Sequence, residues 1–111
     1  MFIVDSHLDL AMNALIWNRD LTRSVPETRA LEAGMAQKGR AGGTVALPEM
    51  RRGGVGLCFA TVIARTSKDW REDGGLDASS QAIAFARAAG QLAYYRLLER
   101  AARSRAALKP G

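Results

Sequence analysis

The stretch Val55-Gly-Leu-Cys-Phe-Ala-Thr-Val-Ile-Ala64 decides how the chain is read. It is apolar almost without a break, where a half-exposed strand would alternate. A continuous run of this kind suits a parallel strand covered on both faces. Its counterpart stands at the start of the chain. Phe2-Ile-Val-Asp-Ser-His7 reads as a short buried strand ending in polar groups.

The material between the two strands reads as helical. Leu8 to Arg19 carries Leu10, Ala11, Met12, Leu15, Ile16 and Trp17, an apolar patch of helical or irregular form. Ser24-Val-Pro-Glu27 is a helix start, with Ser24 as N-cap and proline in the first turn. Leu31 and Met35 then fit one inward face. Gly39–Gly43 punctuate the chain. Leu47 to Gly54 has the proline-first, glycine-last form of a helix of one or two turns. Leu47 and Met50 are expected inward, with Arg51 and Arg52 in water.

Beyond the second strand, Arg65 to Gly75 reads as a polar loop around Trp70. Asp77 or Ser79 opens a long helix running to about Arg105. Its apolar stripe is Phe85, Ala88 or Ala89, Leu92, Tyr95, Leu98 and Ala102. Gly90 costs that helix about 1 kcal/mol and marks close packing on a sheet. Lys109-Pro-Gly111 is a stop signal. Strands separated by helices predict an α/β fold. Two strands alone make a poor sheet, so the pattern reads as the opening of a larger α/β domain.

Composition narrows the chemistry. The 111 residues are 48% apolar and 24% charged, a globular balance. One cysteine excludes an internal disulfide framework, and one histidine excludes three-histidine metal sites and two-imidazole relays. Cys58 reads as an inert core thiol. The net charge is +5, but residues 1–50 hold five basic and six acidic groups, so the excess lies in the second half. Arginines along an alanine-rich helix are a solvated face more often than a phosphate grip. With only 6% aromatic residues, no nucleic-acid partner is expected. The longest apolar run is too short for a bilayer, so no membrane association is expected either. The lone cysteine and the absence of a basic leader segment suit a cytoplasmic chain.

The residues that could carry chemistry are Asp5, His7 and Asp9. His7 and Asp9 are two apart in an extended segment and share a face at the end of the first strand. Imidazole and carboxylate are both good zinc donors. Spacing alone leaves them as half of a metal site or as an ordinary hydrogen-bonding pair at a strand end. Asp5 could orient a ring, hold a backbone amide or cap the turn.

Val4-Asp-Ser-His-Leu-Asp-Leu10 resembles the start of the membrane (renal-type) dipeptidases, metal-dependent amidohydrolases. Leu47-Pro-Glu-Met-Arg-Arg-Gly-Gly-Val-Gly-Leu-Cys-Phe-Ala60 resembles the segment leading into that family's second barrel strand. The resemblance implies the opening β/α units of a TIM-type (β/α)8 barrel. A complete barrel takes about 250 residues, so residues 1–111 would be the N-terminal part of a single hydrolase domain. It also implies a two-zinc centre hydrolysing dipeptides, with His7 and Asp9 as metal ligands. No catalytic residue of the family can be placed on this chain, which alone would be inactive. The partners implied are a dipeptide-like substrate, and a homo-oligomer or the remainder of the barrel. Two other readings stand beside it. One is a related amidohydrolase acting on another amide or a lactone. The other is a small non-enzymatic α/β interaction module, its basic helix available to an acidic partner or to nucleic acid.

Overall fold

Ile3–Leu8 forms strand β1, followed by helices α1 (Leu10–Leu15), α2 (Val25–Glu32) and α3 (Leu47–Arg52) and strand β2 (Val55–Ala60). Two-residue strands β3 (Arg65–Thr66) and β4 (Asp77–Ala78) and a 28-residue helix, α4 (Gln81–Leu108), complete the order. The structure, a computed structural model, describes residues 1–66 and 76–108. The loop expected around Trp70 and the stop at 109–111 lie outside the described residues. The chain divides into two units, Met1–Thr61 and Val62–Gly111.

In the first unit β1 and β2 pair in parallel. Ile3 stands opposite Val55, Val4 opposite Leu57, Asp5 opposite Cys58 and Leu8 opposite Ala60, with irregularities after Ile3 and after Asp5. Gly54 makes the pairing possible. Its φ is +81°, and a Cβ there would stand 2.7 Å from the Met1 carbonyl oxygen. Only glycine fits that approach without strain. The Gly54 carbonyl then accepts the Ile3 N–H at 2.9 Å.

The local helix signals hold. Ser24 Oγ accepts the Glu27 N–H while the Glu27 carboxylate accepts the Ser24 N–H, a complete capping box with Pro26 in the first turn. α3 starts at Leu47 with Pro48 beside it, and Arg51 and Arg52 are exposed. The apolar face of α2 does not hold. Leu31 is 61% exposed and Met35 is exposed, while Glu32 is buried. The core of this unit is Leu10, Ala11, Ala14, Leu21 and Ala46.

In the second unit β3 and β4 pair in parallel, and the Arg65 guanidinium hydrogen-bonds the Asp77 carboxylate. Ser80, rather than Asp77 or Ser79, caps α4, its Oγ accepting the Ile83 N–H at 3.2 Å. The expected stripe holds only in part: Ala88, Tyr95 and Leu98 are half-buried, but Phe85 is 76% exposed, and Leu92 and Ala102 are exposed. Gln91 instead faces inward. Its amide nitrogen donates to the Ile63 carbonyl at 2.6 Å, and its amide oxygen accepts the Ile63 N–H at 2.9 Å. These bonds serve a backbone segment that joins no sheet, and that need sets the helix's rotation. A Cβ added at Gly90 would meet nothing within 4 Å, so this glycine marks no close approach.

The fold class therefore needs correcting. The described residues form two separate two-stranded parallel sheets rather than the opening units of an eight-stranded barrel. Nor is β2 covered on both faces, since Leu57 and Phe59 are exposed. An apolar run records that a strand can be buried; it does not supply the layers that would bury it.

Candidate functional site

Three places in the first unit concentrate chemical or binding potential. At the end of β1, His7 Nε2 lies 3.2 Å from Asp9 Oδ1. The Asp9 carboxylate also accepts a close hydrogen bond from the Thr61 hydroxyl. Thr61 N–H donates to the Leu8 carbonyl at 3.0 Å, which holds that hydroxyl against β1. Asp5 is occupied with its own strand: its Oδ1 accepts the His7 N–H at 2.9 Å. Of the roles open to Asp5, holding a backbone amide is the one observed.

His7 and Asp9 do lie side by side, as their spacing predicts, with the Thr61 hydroxyl on the same carboxylate. Zinc in a protein takes three or four donors. Among the described residues no group of three or more His, Cys, Asp and Glu side chains could hold a metal ion. The donor set does not fit the two-zinc centre that the resemblance implied. The expectation of a zinc-dependent dipeptidase is overturned with it, because its chemistry rests on that centre.

The second place carried no periodic signal in the sequence. Arg19 and Glu32 form a buried pair, their side chains 7% and 5% exposed. Arg19 Nε donates to both Glu32 carboxylate oxygens at 3.1 Å, and Nη2 donates to Oε1 at 2.9 Å. Arg40 Nη1 donates to Glu32 Oε2 at 2.9 Å, and the Ala41 N–H donates to Oε1 at 3.2 Å. Both guanidiniums lie against the Trp17 ring, 4.8 and 5.1 Å from its centroid. Gly39 lets the indole approach, since a Cβ there would come within 2.9 Å of it. The hydrogen bonds from Arg19 hold the Glu32 carboxyl at about 2, and those from Arg40 and Ala41 act in the same direction against the cost of burial.

Arg19 also donates to Asn13 Oδ1 and to the Gly39 carbonyl, each at 3.1 Å. Its donors are directed at protein atoms. The adjoining cavity, edged by Arg23, Thr28, Leu31 and Met35, is about 190 Å³. Small-molecule sites run to roughly 300–1,000 Å³. The nest is a structural tie, not a ligand site.

The third place is the open sheet. Val4 and Leu57 are register partners, and Phe59 follows Leu57 by two, so the three share one face. They are 52%, 50% and 60% exposed. The sequence assigned these residues to a core, so their exposure is information that only the fold supplies. Cys58, opposite Asp5, is half-buried rather than sealed in a core.

Among the described residues no helix is long and apolar enough to cross a membrane. No family model, no curated protein and no solved structure matches this chain. The resemblance of Val4–Leu10 and Leu47–Ala60 to the membrane dipeptidases is therefore not sustained: two short motifs agree, but neither a family match nor a metal-ligand cluster supports them.

Proposed function

We propose that the chain is a non-enzymatic α/β interaction module that works by association through the open β1–β2 sheet. The observation that carries this reading is the single apolar face formed by Val4, Leu57 and Phe59, exposed where a self-contained domain would present polar groups. A two-stranded sheet also leaves an outer edge on each strand, and extended segments dock on such edges through backbone hydrogen bonds.

Titration with fluorescently labelled extended peptides of alternating valine and threonine tests the reading by anisotropy. The wild-type chain should bind them, and Leu57→Lys with Phe59→Lys should abolish binding while circular dichroism keeps its helical signal. No binding by the wild type, or equal binding by both chains, would overturn the surface as a docking site.

A further inference from the structure

We propose that the C-terminal end of α4 is a grip for double-stranded DNA, entering the major groove and held there by phosphates. This surface belongs to the second unit and does not depend on the open sheet.

The last turns of α4 stand clear of the unit that carries them. The helix keeps a half-buried face as far as Leu98, beyond which residues 99–107 are exposed all round. Most helical stability in proteins comes from packing, and this stretch packs on nothing among the described residues.

Its arginines are also set apart. Elsewhere Arg19, Arg40, Arg52 and Arg65 hold carboxylates, and Arg29 and Arg87 donate to backbone carbonyls. Arg103 is paired with Glu99 at 2.6 Å. Among the described residues Arg96, Arg100 and Arg105 form no ion pair or hydrogen bond within the chain. Arg96 and Arg100 are four apart, so their like charges are neighbours on one side of the helix and repel. An anion between them turns that repulsion into attraction. Arg105 comes nine positions after Arg96 and so lies half a turn round, on the opposite side.

The composition of this end selects among anionic partners. Apart from Glu99 and the arginines, residues 99–107 are alanine and serine. The stretch therefore lacks the large apolar groups that enter a lipid boundary or anchor a protein contact. Cations on both sides suit a slot with anionic walls better than one flat acidic surface. The major groove of B-form DNA is such a slot, about 12 Å wide, and it admits an α-helix. The planar guanidinium matches phosphate oxygens in pairs. Few aromatic residues means no stacking platform for single strands. Duplex affinity comes from phosphate instead.

Anisotropy of a short labelled DNA duplex of mixed sequence, titrated from about 50 to 200 mM salt, tests the proposal. Each phosphate neutralised contributes roughly −0.9 to the slope of log K against log salt, so Arg96, Arg100 and Arg105 together predict about −3. Arg96→Gln with Arg100→Gln should bring the slope to about −1 and weaken binding at low salt at least about tenfold. Arginine and glutamine have similar helix propensity, so the circular dichroism should not change. Arg105→Gln by itself should take about 1 from the slope. Lys38→Gln with Arg51→Gln removes the same charge from exposed, unpaired sites in the first unit and should leave the slope unchanged.

Equal weakening by the two double variants would show attraction by net charge alone and would overturn the proposal. So would an absence of duplex binding, or tighter binding to phosphatidylserine vesicles than to DNA. Equal affinity for an RNA duplex would also overturn it, because the A-form major groove is too narrow for a helix.

Discussion

Glu32→Ala is expected to remove cooperative unfolding from the first unit. Arg19 is 7% exposed, and Glu32 is its only anionic partner among the described residues. Deleting one member of a buried pair costs about 3–5 kcal/mol, because the remaining charge stays desolvated and unpaired. A unit of 61 residues has about 3–9 kcal/mol in total. The variant should therefore lose most or all of its stability, read by urea denaturation with Trp17 emission and Trp70→Phe as the common background. The double variant Arg19→Ala with Glu32→Ala should cost much less than the two single losses added, as expected for coupled neighbours. Additive losses would show that the pair is not coupled.

The same carboxylate sets an acid limit. Its pKa is lowered in the folded chain from 4.5 to about 2, so the unfolded chain binds the proton more readily. The stability it contributes is complete above about pH 4.5 and is lost as pH falls through about 2. The acid midpoint of unfolding in the wild-type chain should sit in that window, and Glu32→Gln should lack this component of the pH dependence.

Leu21→Ala is expected to be the most damaging apolar truncation. Leu21 is 2% exposed, and its carbonyl accepts the Leu47 N–H at 2.8 Å, tying the start of α3 to this point. Its buried neighbours in the unit are Leu10 and three alanines, a core with few large groups that could move into a void. Such truncations cost about 2–5 kcal/mol. Leu31→Ala, at an exposed site, should change stability by no more than about 0.5 kcal/mol. The helical pattern favours Leu31 as the buried residue, so denaturation midpoints of the two variants choose directly between pattern and structure. Equal losses would refute Leu21 as the centre of this core.

What was legible in the sequence is what depends on neighbours in the chain. Ser24, Pro26 and Glu27 announce a capped helix because the cap is a local hydrogen-bonding problem. Val55 to Ala60 announce a strand because β propensity and apolarity agree, and His7 and Asp9 share a face because extended chain alternates. Burial was not legible. Leu31 and Phe85 sit at plausible periodic positions, but the inward faces belong to Glu32 and Gln91, each drawn in by partners far along the chain. The nest of Arg19, Glu32 and Arg40 has no periodic signature, since its spacing is set by loops. The His-x-Asp motif was legible as a juxtaposition, whereas its metal chemistry required ligands that the fold does not gather.

The nest and the sheet also differ in how much chain must be looped to form them. Arg19 and Arg40 reach Glu32 across 13 and 8 positions, whereas Thr61 reaches Leu8 across 53. Closing the longer loop costs about 1–2 kcal/mol more in chain entropy, and contacts between distant positions form later on average. In refolding, Trp17 should therefore enter its arginine surroundings before β1 finds β2. Stopped-flow emission from Trp17 should run ahead of hydrogen-exchange protection at the Ile3 amide. For that interval β2 would be unpaired on both sides, and the concentration of chain would decide whether it meets its own first strand or another molecule's.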